Sequence, residues 1–92
     1  MKIGIAFCGP LARYAGLEKS EIELSGTARF EDLLSEIGRR FGQNMPPIIW
    51  DTDRANFTHH VCALKESRIL SDLKEPLSNG EKIKFFLIMV GG

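Results

Sequence analysis

Ile83 to Gly92 reads Ile-Lys-Phe-Phe-Leu-Ile-Met-Val-Gly-Gly. Read as a chain end, this stretch offers a reactive group that no side chain supplies, the carboxylate of Gly92. An α-carboxyl titrates near ~3.5, so at neutral pH it is an anionic but weak nucleophile. Gly91 and Gly92 lack a Cβ, so such a tail can thread a narrow slot and present its carbonyl carbon without obstruction. The other chemistry-bearing residues lead less far. Cys8 and Cys62 stand in separate apolar segments with no Cys-x-x-Cys pair, the pattern of reduced, buried thiols. His59-His60 with Cys62 offers metal-ligand residue types. Adjacent strand residues face opposite sides, however, and no fourth ligand stands nearby, so no metal is expected.

The elements that must position this tail follow from apolar periodicity. In the last strand Ile83, Phe85, Leu87 and Met89 share one face, and Phe86, Ile88 and Val90 share the other. Both faces are apolar. One is expected in the core and the other against a partner protein. Lys2 to Cys8 is a second strand, with Ile3, Ile5 and Phe7 on its bulky face. Leu11 to Leu17 reads as a helical turn or a loop closed by Gly16, and Glu21 to Leu24 as a half-exposed strand paired with the first. Phe30, Leu33, Leu34, Ile37 and Phe41 form one helical stripe, with Thr27 as N-cap and Gly42 as C-terminal stop. Glu31 and Asp32 in its first turn, and Arg39 and Arg40 in its last, complement the helix dipole and do not by themselves make an anion site.

Pro46-Pro47 bars further helix, Ile48-Ile49-Trp50 reads as a short strand, and Asp51 to Arg54 as a turn. Phe57 to Leu64 reads as one strand and Leu70 to Leu73 as a turn of 3₁₀ helix. Asn79-Gly80 is a turn signal directly before the last strand. The first and last strands are the most apolar, which makes them central neighbours with the helix packed across one sheet face. The expected fold class is α+β, a β-grasp with a mixed sheet and one main helix.

Size and charge bound the function. Ninety-two residues make one small domain over residues 1–92, with a single modest core and little room for a multi-residue catalytic cleft. Twelve basic residues balance twelve acidic ones, so no overall charge favours nucleic acid or an anionic membrane surface. The longest wholly apolar run, Phe85 to Val90, is far short of the roughly twenty residues that span a bilayer. Met1-Lys2-Ile3-Gly4 leads straight into strand-like sequence without a signal-peptide pattern, and the expected location is cytoplasmic.

The opening K-I-G-I-A-F-C-G-P-L-A-R-Y-A-G sets Phe7, Leu11, Arg13 and Gly16 in the pattern of an aromatic residue, Leu-x-Arg and a glycine. With the helix T-A-R-F-E-D-L-L-S-E-I-G-R-R-F, the turn P-L-S-N-G-E-K-I-K-F-F and the terminal Gly91-Gly92, it resembles the ubiquitin-like sulfur carriers. That family includes the small subunit of molybdopterin synthase, the closer likeness, and the thiamine-pathway carrier. Where the family commonly has Asn-Gly after its third strand, this chain has Lys65-Glu66-Ser67.

The resemblance implies a cycle. The Gly92 carboxylate attacks the α-phosphate of Mg-ATP on an E1-like adenylating enzyme. A sulfur donor such as a cysteine desulfurase then displaces AMP to leave a thiocarboxylate, and a sulfur-accepting synthase large subunit receives the sulfur, in molybdenum- or tungsten-cofactor synthesis. The chain itself is then a co-substrate and not an enzyme, with no cofactor of its own and no nucleic-acid or membrane partner. Phe7 or Phe86, with Ile88 and Val90, would dock the partners, and Arg13 would be a further contact. Phe7 and Phe86 serve equally well as core. Other readings are the same chemistry in thiamine or cysteine synthesis, an interaction module whose glycines are never activated, and a small metal or redox protein using His59, His60 and Cys62.

Overall fold

Alternation of Ile3, Ile5 and Phe7 with small or charged residues buries all three on one side of the first strand. The computed structural model describes residues 1–88, so expectations placed on Met89, Val90, Gly91 and Gly92 fall outside the described residues. The elements run β1 (Lys2–Phe7), α1 (Pro10–Ala15), β2 (Lys19–Glu23), α2 (Phe30–Phe41), a 3₁₀ turn (Gly42–Asn44), β3 (Trp50–Asp51), β4 (Asn56–Phe57), β5 (Val61–Lys65), β6 (Arg68–Ile69) and β7 (Lys82–Leu87). Five of the strands form one mixed sheet in the order β2-β1-β7-β5-β6. β1 and β7 pair in parallel at its centre, with Ile5 opposite Ile83 and Phe7 opposite Phe85, as their apolar content predicts. β2 pairs antiparallel with β1, and β5 antiparallel with both β7 and β6. With α2 on one face, this is the ubiquitin-like β-grasp, an α+β fold.

Two turns place β7. Gly80 takes φ +86°, its amide donates to the Lys2 carbonyl at 2.8 Å, and the Lys2 amide donates to Asn79 Oδ1 at 2.7 Å. The Asn79-Gly80 turn is thereby tied to the start of β1 and fixes the parallel register. Gly16, at φ +87°, closes α1 in the left-handed conformation that glycine accepts without Cβ strain.

The α2 stripe is as expected: Phe30, Leu33, Leu34, Ile37 and Phe41 are all buried. Its ends differ. The residue before the helix is Arg29, in extended backbone, whose amide donates to Asp32 Oδ2 at 2.8 Å, and Thr27 lies short of it. The first helical amides find remote acceptors. Phe30 donates to the Glu75 carbonyl at 2.9 Å and Glu31 to the Leu73 carbonyl at 3.0 Å. The segment 70–76 turns at Leu73-Lys74 and supplies those carbonyls, and it does not form the expected 3₁₀ turn. Gly42 is right-handed (φ −58°, ψ −33°) and is no left-handed stop. The helix tightens into the 3₁₀ turn and ends at Met45, driven to extended backbone by Pro46.

Gly38 and Gly42 are one helical turn apart, and both face Trp50. A Cβ on Gly38 would lie 2.5 Å from Trp50 Cζ2, and one on Gly42 would lie 3.0 Å from Nε1. The ring is 4% exposed and meets Phe57 edge-on at 5.0 Å. Phe57 in turn lies 5.0 Å from Phe85, so the small β3–β4 sheet is pinned to the core through Trp50 and Phe57. The expected single strand over Phe57 to Leu64 is two strands of different sheets. Thr58 to His60 bends between them, its amide and hydroxyl bonding the Ile49 and Ile48 carbonyls.

The β5–β6 turn puts Glu66 at φ +60°, a conformation that Asn or Gly accepts with less strain. A left-handed L-residue other than Asn or Gly costs about 1–2 kcal/mol. Glu66→Asn should therefore stabilise the chain by about 0.5–1 kcal/mol in urea unfolding. The same hairpin is clasped by charge. Lys65 Nζ contacts Glu75 at 3.0 Å and Glu81 at 2.7 Å, and Arg68 also reaches Glu75. The Arg68 guanidinium first, and then the Lys65 ammonium, hold the Glu75 carboxyl down to about 2 from an ordinary 4.5. A lowered folded pKa stabilises above the unfolded value and loses that contribution as pH falls through the folded one. Glu75→Gln should thus flatten the loss of stability between about pH 4.5 and 2, measured by urea unfolding across that range.

Candidate functional site

Strand partners directly opposite one another share a sheet face, so the face turned away from α2 can be read in rows. One row crosses all five strands as Lys19, Ala6, Lys84, Leu64 and Ile69. A second runs Glu21, Gly4 and Lys82. A third, toward the end where β7 finishes, places Cys62 opposite Phe86, with Ile88 two residues further on. No helix covers this face. Phe86, Leu64 and Cys62 are half-buried, Ile69 is 62% exposed and Ile88 is 43% exposed. Lys19, Lys82 and Lys84 are exposed.

The expected partner contacts separate accordingly. Phe7 is 2% exposed and packs against Phe41 at 5.4 Å and Phe85 at 5.9 Å, so it is a core residue and offers a partner no surface. The reason is parity. Phe7 lies opposite Phe85 on the helix side, whereas Phe86 lies on the far side. Phe86 and Ile88 stand together on the open face. The Ile88 amide donates to the His60 carbonyl at 2.7 Å, which holds the chain to β5 up to the last described residue. Arg13 is exposed on α1, which starts where β1 ends and so lies at the same end of the sheet as the end of β7. Val90, Gly91 and Gly92 lie outside the described residues.

Cys8 and Cys62 are free thiols, both half-buried and neither fully enclosed. His59 and His60 are not strand residues on opposite faces. They lie in the turn before β5, with ring centroids 4.1 Å apart. Among the described residues no group of three or more His, Cys, Asp or Glu is arranged to hold a metal ion. No helix among them is long and apolar enough to cross a membrane. The basic half of the open face and the Gly38/Gly42 seat for Trp50 went unread in the sequence. The signals were the outward spacing of Lys82 and Lys84 and a Gly-x-x-x-Gly inside an amphipathic helix.

No protein-family model matches the chain, and no curated protein matches it. Solved structures do. SAMP1 from Haloferax volcanii superposes with a TM-score of 0.82 at 18% identity, over 100% of both chains. A putative molybdopterin converting factor subunit 1 from Pyrococcus furiosus gives 0.73 at 26% identity, over 95% of this chain and 97% of that one. Subunit 1 or 2 in the Helicobacter pylori molybdopterin-converting factor complex gives 0.55 at 16% identity, over 100% of both chains. The chain has the ubiquitin-like β-grasp fold, and its structural neighbours are small modifier and molybdopterin converting factor proteins.

Proposed function

We propose that the chain is a sulfur carrier whose Gly92 carboxylate is adenylated and converted to a thiocarboxylate. The observation that carries the reading is the open sheet face beside the end of β7. Phe86 and Ile88 are left partly bare on the strand that leads directly into Gly91-Gly92. In such a carrier the protein supplies recognition, and an E1-like partner supplies catalysis. The partner seats the open face, and the glycine pair reaches its ATP. The carboxylate oxygen bonds to the α-phosphorus as pyrophosphate leaves, and the persulfide of a sulfur donor such as a cysteine desulfurase displaces AMP to give an acyl disulfide. A thiol reductant cleaves that disulfide to the thiocarboxylate, and a synthase large subunit takes the sulfur. The likeness to a converting factor subunit 1 favours molybdopterin synthesis as the destination over thiamine or cysteine synthesis.

Intact mass after incubation with an adenylating enzyme, Mg-ATP, a cysteine desulfurase, cysteine and a thiol reductant tests this. A gain equal to the exchange of one oxygen for one sulfur is expected, and an unchanged mass favours an interaction module whose glycines are never activated. Phe86→Glu should lower affinity for the adenylating enzyme by roughly tenfold or more, because it buries a charge at the centre of the contact. Its melting temperature should change little. Collapse of the fold would instead place Phe86 among the core residues. The higher TM-score of a modifier, SAMP1, favours a second reading in which a partner's lysine amine attacks the activated carbonyl and displaces AMP. In the same assay that outcome appears as a covalent adduct.

A further inference from the structure

The chain has no net charge, yet its open face carries four lysines, Lys2, Lys19, Lys82 and Lys84, against two glutamates, Glu21 and Glu23. Of its six lysines, Lys65 and Lys74 are ion-paired. Lys2, Lys19, Lys82 and Lys84 have no ion-pair partner among the described residues, and all four are exposed. These four share the open face. With Glu21 on the β2 side, they line a trough floored by Gly4 and Ala6, the two smallest side chains of β1. A Cβ on Gly4 would come within 3.3 Å of Lys82 Cγ, so the missing side chain lets the lysine's stem lie close along β1. The apolar half of the face adjoins this trough without a break. Lys84 is flanked in its row by Ala6 and Leu64, and along β7 it precedes Phe86.

We infer that the open face is built for a protein surface that sets carboxylates against Lys82, Lys84 and Lys19 and an apolar ridge against Phe86, Leu64 and Ile69. This rests on the carrier reading and names the chemistry of the surface that activates the chain. Lys82 and Lys84 are two strand residues apart, about 7 Å. Carboxylates one helical turn apart on a partner, about 6 Å, match that spacing. A nucleic-acid backbone fits less well. Glu21 lies in the Lys82 row and Glu23 opposite Lys2, and both repel any anion. The partner's carboxylates must therefore be discrete and clear of those two β2 positions, which a continuous run of phosphates cannot be. The adjoining aliphatic ridge has nothing to offer a phosphodiester chain. Unpaired lysines beside an apolar patch act chiefly on the rate of encounter, since opposite charges steer association and lose that effect in salt.

The test uses the adenylating enzyme that loads the wild-type chain, read by pyrophosphate exchange. K82E/K84E should lower kcat/KM for the chain roughly 10- to 100-fold while leaving kcat at saturation unchanged, and K82Q/K84Q should fall between. Raising salt from about 0.02 to about 0.5 M should slow the wild type by a similar factor and the charge-reversed variant little. Both lysines are exposed, so unchanged circular dichroism is expected of each variant. A wild-type chain that is loaded, with K82E/K84E loaded at the same kcat/KM, overturns this inference and leaves the carrier reading standing. A wild-type chain that is never loaded overturns both. Tight retention of a single-stranded RNA at about 0.15 M salt, abolished in K82E/K84E, also overturns it in favour of a nucleic-acid face.

Discussion

Replacing Gly38 with alanine should destabilise the protein by about 2 kcal/mol, although helix propensity alone favours alanine by about 1 kcal/mol. The new methyl would stand 2.5 Å from Trp50 Cζ2, well inside van der Waals contact. The ring cannot retreat cheaply, because it is buried and set edge-on against Phe57, itself packed at a tilt against Phe85. Overpacking of this kind costs about 1–3 kcal/mol, enough to reverse the sign. Thermal unfolding should fall by roughly 10 °C. The cause can be isolated with Trp50→Leu, which leaves space above the helix. In that background Gly38→Ala should become neutral or stabilising, and an unchanged loss would place the defect elsewhere than at the ring.

Deleting Gly92 should reduce sulfur loading by at least about 100-fold while leaving the unfolding midpoint where it was. The shortened chain still ends in a glycine carboxylate, so the chemistry of the group is unaltered. Its reach is cut by one residue, about 3.5 Å, and misplacement of a reacting atom by about 1 Å already costs on the order of 100-fold. Intact mass under conditions that load the wild type reads the result. Loading of the deletion variant at the wild-type rate would show that the terminal carboxylate is not the acceptor. Stability should hold because a residue without a side chain contributes no apolar burial.

Local patterns carried most of the fold. The α2 stripe, the central pairing of β1 with β7 and the Asn79-Gly80 turn all follow from periodicity or turn chemistry within a few residues. What escaped depends on contacts remote in sequence. Thr27 is a sound N-cap on local grounds, but α2 starts at Phe30 because the carbonyls of Leu73 and Glu75 satisfy its first amides. Gly42 is a sound local stop, but its lack of a side chain serves Trp50. At the site, alternation separated Phe85 from Phe86 but left open which lay outward. Only the position of α2 settles that, and by the same parity places Phe7 inside.

The pairing of Gly4 with Lys82 has a consequence for synthesis. The sheet's middle contact closes a loop of nearly eighty residues, so it is among the last to form as the polypeptide emerges from the ribosome. Until then β1 and β2 form a two-stranded ribbon whose inner edge lacks its neighbour, and such an edge invites association with other nascent chains. The arrangement makes completion of the sheet wait for the segment that shortly precedes Gly91-Gly92, so a truncated translation product would lack both the finished scaffold and the glycine pair.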